Sequence, residues 1–204
     1  MTLLYLLRHG EIDWPEPDGF IGQIDAPLSP AGRRQAQAWR NELPPMQFTD
    51  VWSSDLARAT ETATIVFAGR AADFQIHSDL REIRLGEWDG LSRHHVRERH
   101  PDLWLARGRD LAGFRPPGGE SFADLQERVV QRVGQIAAAA AGPVCLVTHA
   151  GAIRVLVCHC LQVPLANLFR IRLDYGGLSI VDWAPGRLEV CALNLSPPGR
   201  GGPV

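Results

Sequence analysis

The chain has 204 residues, of which 45% are hydrophobic and 22% are charged, and its formal net charge is −2. These values are ordinary for a soluble globular protein, and the length suffices for one domain with a sizeable core. The weak net charge gives no indication of a nucleic-acid or anionic-membrane partner. All 21 basic residues are arginine, so a single arginine is weak evidence of function in this chain.

The apolar runs indicate neither a targeting segment nor a membrane span. The N-terminal run is too short for a signal peptide and is interrupted by Arg8. No run approaches the roughly 20 residues that cross a bilayer. The four cysteines form no CxxC pair, and we expect buried thiols rather than disulfides or a metal site, including Cys158 and Cys160. The expected location is the cytoplasm.

Strand-like and helix-like segments alternate along the chain. Short apolar runs predict strands over residues 3–7, 50–53, 74–77, 144–148, 169–173, 178–183 and 188–193. Helical periodicity predicts helices over residues 30–43, 56–67, 122–140 and 152–161. A polar segment over residues 92–109 is expected to form one helix, or two short ones broken near Pro101.

Three of these helix starts carry residues suited to capping. Ser29 precedes a proline at the first helical position, and Ser54 or Asp55 can cap the second helix. Ser121 is followed three residues later by Asp124, as in a capping box with aspartate in place of glutamate. These caps support the predicted order of elements.

The alternation of strands and helices predicts a single α/β domain over residues 1–195. No internal repeat or linker divides it. The remaining residues, 196–204, are rich in glycine and proline, and we expect a flexible tail there.

Two of the predicted strands end in a histidine next to small residues. The first strand runs into Arg8, His9 and Gly10, and the fourth runs into His149. Ligands of open α/β sheets bind beyond the carboxyl ends of the strands. We therefore expect the two histidines to meet at one sheet edge if these strands are parallel neighbours, although each alone could be a structural histidine.

Arg58 lies in the predicted first turn of the helix that follows the second strand, near the same edge. A helix N-terminus favours an anion. Two histidines and two arginines at one point predict an anion site, and phosphoryl groups suit it because guanidinium forks match phosphate oxygens. Taken alone, Arg58 could be a solvated surface arginine.

Six segments in this order resemble the histidine phosphatase (phosphoglycerate mutase-like) superfamily, branch 1. They cover nearly the whole chain to about residue 195 and are RHGE (8–11), GQIDAPLSPAG (22–32), SSDLARATETA (53–63), LREIRLGEWDG (80–90), GGES (118–121) and THAG (148–151). One such segment is weak evidence, whereas the ordered set is strong. The compact chain is most similar to the α-ribazole phosphatase and broad-specificity phosphatase members.

The resemblance implies a three-layer α/β/α sandwich with a mostly parallel central sheet, and a phosphomonoester hydrolase that requires no metal or cofactor. In this chemistry His9 would attack phosphorus and become phosphohistidine, and Glu82 would protonate the leaving oxygen and then activate water. Positive charge at Arg8, Arg58 and His149 would keep His9 deprotonated and hold the transferring oxygens. The implied substrate contacts are Arg8, Gly10, Gln23, Arg58, His149 and Ala150.

Three other carboxylates compete with Glu82 for the role of proton donor. Glu11 directly follows the proposed nucleophile, but the side chains of neighbouring residues tend to point apart. Glu87 and Asp89 lie in the same segment as Glu82, and the residues alone do not choose among them. The family resemblance chooses Glu82.

The loop after the first strand departs from the family pattern. Related chains often carry a hydroxyl residue after the glutamate and an asparagine a few places later, both near the phosphate. Here those places hold Ile12 and, approximately, Pro15. Gln23 in the following turn is the candidate that supplies an amide instead.

We expect hydrolysis of a small phosphorylated metabolite, with α-ribazole 5′-phosphate as one candidate. A cofactor-dependent phosphoglycerate mutase is an alternative, but the resembling mutases carry longer insertions between the donor segment and the final histidine. The other alternative is a catalytically weak protein that binds a phosphorylated ligand for regulation. Intact His9 and Glu82 argue against it.

The substrate pocket is expected between two segments, residues 14–24 and 88–114. The second segment carries six basic or histidine side chains over residues 93–100, namely Arg93, His94, His95, Arg97, Arg99 and His100. They form either a solvated helical face or a group that reaches a second charge on the substrate. The sequence does not indicate an oligomeric state.

Overall fold

The computed structural model describes residues 1–16, 18–43, 48–69 and 74–196. The strands in these ranges are β1 (Thr2–Arg8), β2 (Asp50–Ser53), β3 (Gln75–Ile76), β4 (Val144–Thr148), β5 (Leu178–Ala184) and β6 (Arg187–Leu195). The α-helices are α1 (Pro30–Glu42), α2 (Ala57–Val66), α3 (Arg93–Arg99), α4 (Pro101–Arg109), α5 (Phe122–Ala139) and α6 (Ala150–Leu161). Short 3-10 turns lie at Ser78–Leu80, Gly86–Trp88 and Leu165–Arg170. The predicted tail lies, apart from its first residue, outside the described residues.

The strands form one six-stranded sheet in the order β3-β2-β4-β1-β5-β6. The first four in this order pair in parallel, whereas β5 and β6 are antiparallel additions at one side. The central pair is in register from Leu4↔Val144 to Arg8↔Thr148. The carboxyl ends of β1 and β4 therefore lie side by side, as the sequence predicted.

Helices cover both faces of the sheet because β1 is apolar on both sides. Leu4 and Leu6 belong to the core cluster with α5 and α6, whereas Tyr5 and Leu7 belong to the cluster with α1 and α2. The predicted apolar face of α5 is buried, including Leu125. The α/β fold with helices on both sides of the sheet agrees with the prediction. Within the described residues, no helix combines the length and apolar character that crossing a membrane requires.

One predicted strand, over residues 169–173, is wrong. This stretch begins inside the 3-10 turn Leu165–Arg170, where Asn167 N–H donates to the Pro164 carbonyl and Ile171 N–H to the Leu168 carbonyl. Leu168 in this turn is buried, whereas Phe169 is half exposed. Local hydrogen bonds thus replace the ladder of a strand.

The cap predicted for α2 is also wrong. The N-cap residue is Leu56, which has no side chain able to cap. The first helical amide, from Ala57, donates instead to Asp25 Oδ1 at 2.6 Å. The Asp25 carboxylate lies in a loop that is distant from α2 in the sequence, so no local sequence pattern predicted this contact. The predicted capping by Ser29 and the capping box at Ser121 are both present.

Candidate active site

The register of β1 and β4 brings His9 and His149 together. Their ring centroids lie 5.0 Å apart. The His9 backbone N–H donates to the Thr148 carbonyl at 3.0 Å, which continues the parallel ladder by one residue. Both side chains are buried, His149 completely. The two strand-end histidines of the sequence therefore form one cluster.

His9 is held as a neutral imidazole with one nitrogen free. Its Nδ1 lies 2.8 Å from the Gly10 carbonyl, which can only accept, so Nδ1 carries the proton and Nε2 has a free lone pair. Burial lowers the pKa of His9 well below its usual value, and the positive charges of Arg58 and Arg8 lower it further. A neutral imidazole with a free Nε2 is the form that a nucleophile requires.

His149 is oriented by Ser54, which the sequence suggested as a helix cap but not as part of the site. Its Nε2 lies 2.8 Å from Ser54 Oγ, which also accepts a hydrogen bond from Leu56 N–H at 3.3 Å. Ser54 can donate its hydroxyl proton to Nε2, which leaves the proton of His149 on Nδ1. That nitrogen is buried and has no hydrogen-bond partner among the described residues. Burial first, and then Arg58 and other nearby cations, lower the pKa of His149.

Arg8 is clamped between a carbonyl and an aromatic ring. One terminal nitrogen donates to the Leu173 carbonyl at 2.8 Å, and the guanidinium carbon lies 3.7 Å from the centre of the Tyr175 ring. Its Nε is buried and unpartnered within the described chain. Tyr175 also contacts His9, with ring centroids 5.6 Å apart. Sequence reasoning missed Tyr175, because a tyrosine before two glycines carries no signal of its own.

Arg58, the second residue of α2, is buried rather than solvated, with 1% of its surface exposed. Its two terminal nitrogens donate to the carbonyls of Gly22 at 2.7 Å and Ile24 at 2.6 Å. Burial lowers its pKa, yet a guanidinium remains charged at any physiological pH. Arg58 thus ties the loop after β1 to the histidine cluster.

Glu82 is positioned by two backbone amides. Its Oε1 accepts from Ile83 N–H at 2.9 Å and its Oε2 from Gly151 N–H, in the first turn of α6, at 3.0 Å. Gln23 donates its amide to the Glu82 carbonyl at 2.9 Å and accepts from Arg81 at 3.2 Å. Gln23 therefore holds the donor segment, and its predicted contact with the substrate stays a prediction.

The structure separates Glu82 from the three rival carboxylates. Of the four, Glu82 is the one that lines the cavity described below. Glu11 accepts from the Ser29 hydroxyl at 2.8 Å, and Glu87 is exposed to solvent. Asp89 accepts from Leu85 N–H at 3.3 Å, within its own turn. Glu82 is thus the one of these four carboxylates that faces the cavity, and its role as proton donor stays a prediction.

A glycine is required at position 10 because the chain there packs closely against α1. A Cβ at this position would lie 2.5 Å from the Gly32 carbonyl oxygen in the first turn of α1. The absence of a side chain thus permits close packing of the chain after β1 against α1. Gly10 is not among the residues that line the cavity described below, whereas Ala150 is, and the implied contact of Gly10 with the substrate stays a prediction.

A cavity of about 220 Å³ opens over Arg8, His9, Arg58 and Glu82. Its walls include parts of both predicted segments, with Phe20 from the first and Arg93, Arg107 and Phe114 from the second. Two further walls, from residues 116–122 and 150–175, lie outside these two segments. Of the six basic and histidine side chains over residues 93–100, only Arg93 lines this cavity.

Comparison with known proteins places this site in a family. The profile of the histidine phosphatase superfamily (branch 1) matches residues 4–196. The chain belongs to this superfamily. The match includes all six ordered segments, from residue 8 to residue 151.

Named relatives of this histidine phosphatase are themselves phosphatases. It is 36% identical over 172 residues to a glucosyl-3-phosphoglycerate phosphatase of Mycolicibacterium vanbaalenii, covering 80% of this chain and 76% of the relative. It is 30% identical over 194 residues to the adenosylcobalamin/alpha-ribazole phosphatase of Salmonella typhimurium, covering 94% and 95%. These matches confirm the predicted class of enzyme, a phosphoric monoester hydrolase.

A solved structure shows the same fold. The mycobacterial glucosyl-3-phosphoglycerate phosphatase complexed with VO3 superposes with a TM-score of 0.85 at 31% identity, covering 96% of this chain and 100% of that one. The predicted three-layer, phosphoglycerate mutase-like fold is confirmed by this agreement.

Gly151 provides a test of how Glu82 is placed. A Cβ at Gly151 would lie 2.0 Å from Glu82 Oε1, the movable end of a side chain. We expect Gly151→Ala to displace this carboxylate, keep the fold, and lower kcat for alkyl phosphates by about 10- to 100-fold, because small misplacements of reacting groups are costly. Steady-state kinetics and thermal unfolding measure the two effects. Gly134→Ala in α5, where the nearest atom is 3.8 Å away, should keep full activity.

Burial of two neutral histidines makes stability depend on pH. In the unfolded chain each protonates near pH 6.5, whereas the folded state resists protonation at His9 and His149. The unfolded state therefore binds more protons below that pH, and the free energy of unfolding falls by up to about 1.4 kcal/mol per pH unit for each histidine. Denaturant unfolding between pH 7.5 and 5.5 should show this slope. It should decrease in His149→Asn and persist in the exposed His95→Asn; equal slopes in all three proteins would contradict it.

Proposed function

We propose that this protein hydrolyses a small phosphomonoester through a phosphohistidine intermediate on His9. One observation carries the proposal. A neutral His9 with a free Nε2 lies among cations and beside two buried donors, Arg8 Nε and His149 Nδ1, that have no partner within the part of the chain that the structure describes. Such donors are costly to bury unless a ligand oxygen accepts from them. A phosphoryl group supplies three such oxygens.

The first half-reaction transfers the phosphoryl group to the enzyme. His9 Nε2 attacks phosphorus and forms an N–P bond while the P–O bond to the leaving group breaks. Glu82 gives its proton to the leaving oxygen, which departs as an alcohol. Arg8 and Arg58 balance the charge on the equatorial oxygens, and the Nδ1–H of His149 is the additional donor.

The second half-reaction returns the enzyme to its starting state. Glu82, now a carboxylate, takes a proton from water while the water oxygen attacks phosphorus and the N–P bond breaks. Inorganic phosphate leaves, and His9 and protonated Glu82 are restored. Each step uses groups of this chain and the two substrates alone.

The experiment is a hydrolysis screen of a phosphomonoester panel in excess EDTA. The panel contains p-nitrophenyl phosphate, α-ribazole 5′-phosphate and glucosyl-3-phosphoglycerate, since phosphatases named for the last two are relatives of this chain. Release of inorganic phosphate is the expected result. A wild-type protein that turns over no member of the panel would favour the weak phospho-ligand-binding alternative. Transfer between positions of phosphoglycerate, stimulated by 2,3-bisphosphoglycerate, would favour the mutase.

We infer a cytoplasmic protein whose partner is a small phosphorylated metabolite. The relatives act on small phosphorylated compounds by name, which supports the second part. The location, and the expectation of neither a nucleic-acid nor a membrane partner, stay predictions from composition and are tested by cell fractionation and by binding to DNA and to anionic vesicles.

A further inference from the structure

The cavity carries more positive charge than one phosphoryl group can balance. Five arginines line it: Arg8, Arg58, Arg93, Arg107 and Arg154. Across the described ranges, none of the five forms an ion pair with a carboxylate. Two carboxylates line the cavity, and one of them, Glu120, is already paired with Arg128 at 2.5 Å.

Three of these arginines, Arg93, Arg107 and Arg154, form a continuous group in the cavity lining. Two phenyl rings connect them. The Phe20 ring centre lies 6.0 Å from the guanidinium carbon of Arg93 and 5.6 Å from that of Arg107. The Phe169 ring centre lies 5.9 Å from Arg107 and 5.5 Å from Arg154. Arg107 is therefore the middle member, and aromatic faces support all three charges.

The group is assembled from distant parts of the chain. Arg93 opens α3, Arg107 lies near the end of α4, and Arg154 lies in α6, where its Nε donates to the Ile171 carbonyl at 3.0 Å. Burial lowers the pKa of both Arg107 and Arg154, and the neighbouring Arg93 lowers that of Arg107 further. Like charges are thus held together while partly desolvated, an arrangement that a bound anion stabilises.

We propose that Arg93, Arg107 and Arg154 form a second anion subsite, and that the substrate is a phosphomonoester whose leaving group carries another anionic group, a carboxylate or a second phosphate. The phosphoryl group lies against His9, Arg8 and Arg58, as in the proposed function on which this inference rests. Its charge is balanced there. The guanidinium groups of Arg93, Arg107 and Arg154 remain for a second anion, and the phenyl rings contact the part of the substrate that connects the two anionic groups.

Two matched substrate pairs test the subsite. Each pair differs by one negative charge: 4-carboxyphenyl phosphate against 4-carbamoylphenyl phosphate, and 3-phosphoglycerate against glycerol 3-phosphate. We expect wild-type kcat/KM to favour the anionic member of at least one pair by about 10-fold or more, since hydrogen bonds to charged groups are worth that much. Equal or lower kcat/KM for the anionic member of both pairs would overturn the subsite.

Variants test whether these arginine side chains cause the preference for anionic substrates. Arg107→Gln is expected to reduce the ratio between the anionic and neutral substrates about 10-fold, and Arg107→Lys, which keeps a cation, should retain most of it. Arg93→Gln is expected to reduce the same ratio. Arg109→Gln and Arg99→Gln remove exposed arginines from the same two helices, outside the cavity lining, and should leave the ratio unchanged. A ratio that persists in both Arg107→Gln and Arg93→Gln would also overturn the proposal.

The neutral substrates separate this inference from the proposed function. If the wild-type protein hydrolyses them but shows no preference for the anionic members, the subsite is wrong and the phosphatase chemistry stands. If neither kind of substrate is hydrolysed, the proposed function itself fails.

Discussion

Replacing His9 with asparagine is expected to lower kcat for every phosphomonoester by about 10⁴-fold or more, because the covalent route then has no nucleophile. Asparagine is smaller than histidine and its side chain can still donate toward the Gly10 carbonyl, which accepts from Nδ1 at 2.8 Å in the wild type. The substitution also removes a buried imidazole that lies among the positive charges of Arg58 and Arg8, so we expect the variant to fold. The loss of activity should therefore come from lost chemistry rather than from lost folding.

Two measurements accompany this prediction. Mixing wild-type protein with ³²P-labelled substrate and quenching in alkali should trap a labelled protein, since phosphohistidine survives alkali, and the His9→Asn protein should carry no label. Thermal unfolding should show that His9→Asn is folded, and the exposed His95→Asn should keep both label and activity. A His9→Asn protein with more than a few per cent of wild-type turnover would show that His9 is not the nucleophile.

The elements that could be predicted from the sequence are those fixed by local pattern. Apolar runs identified β1 and β4, and the rule that ligands bind at the carboxyl ends of parallel strands then placed His9 and His149 together. The observed register, with Arg8 opposite Thr148, is what that expectation required. The position of Arg58 was predicted in the same way, because a residue in the first turn of the helix after β2 lies near the same edge of the sheet.

What could not be predicted depends on contacts between distant residues. Tyr175 lies under Arg8 only because the chain after the 3-10 turn returns to the sheet edge. Ser54 contacts His149 across 95 positions of sequence. Asp25 caps α2 from a loop. No local sequence pattern marks these long-range roles, and the same is true of Arg154 in the cavity lining.

Glu82 shows how the sequence and the structure complement each other. The sequence alone left four carboxylates open, and the resemblance chose one. In the structure Glu82 lines the cavity, and its two oxygens accept from the amides of Ile83 and Gly151. These amides fix the carboxyl group in position. A missing side chain at Gly151 leaves the space that the carboxyl group occupies.

Glu82→Gln is expected to have an effect that depends on the leaving group. Glutamine keeps the size of the side chain and one acceptor oxygen but can neither give nor take a proton. For glycerol 3-phosphate, whose alkoxide is a poor leaving group, we expect kcat to fall by about 10²- to 10⁴-fold, the usual contribution of a general acid. For p-nitrophenyl phosphate the leaving phenolate needs little protonation, so the first half-reaction should change much less.

The second half-reaction then becomes the slow step with p-nitrophenyl phosphate, because the variant lacks the carboxylate that we propose activates water. A rapid burst of p-nitrophenol equal to the enzyme concentration, followed by slow turnover, is expected in stopped-flow records, and the alkali-stable label on His9 should accumulate. Glu87→Gln, which removes a nearby exposed carboxylate, should show wild-type kinetics with both substrates. An equal loss of rate with the two leaving groups would mean that Glu82 acts on the geometry or charge of the phosphoryl group rather than on the proton of the leaving oxygen.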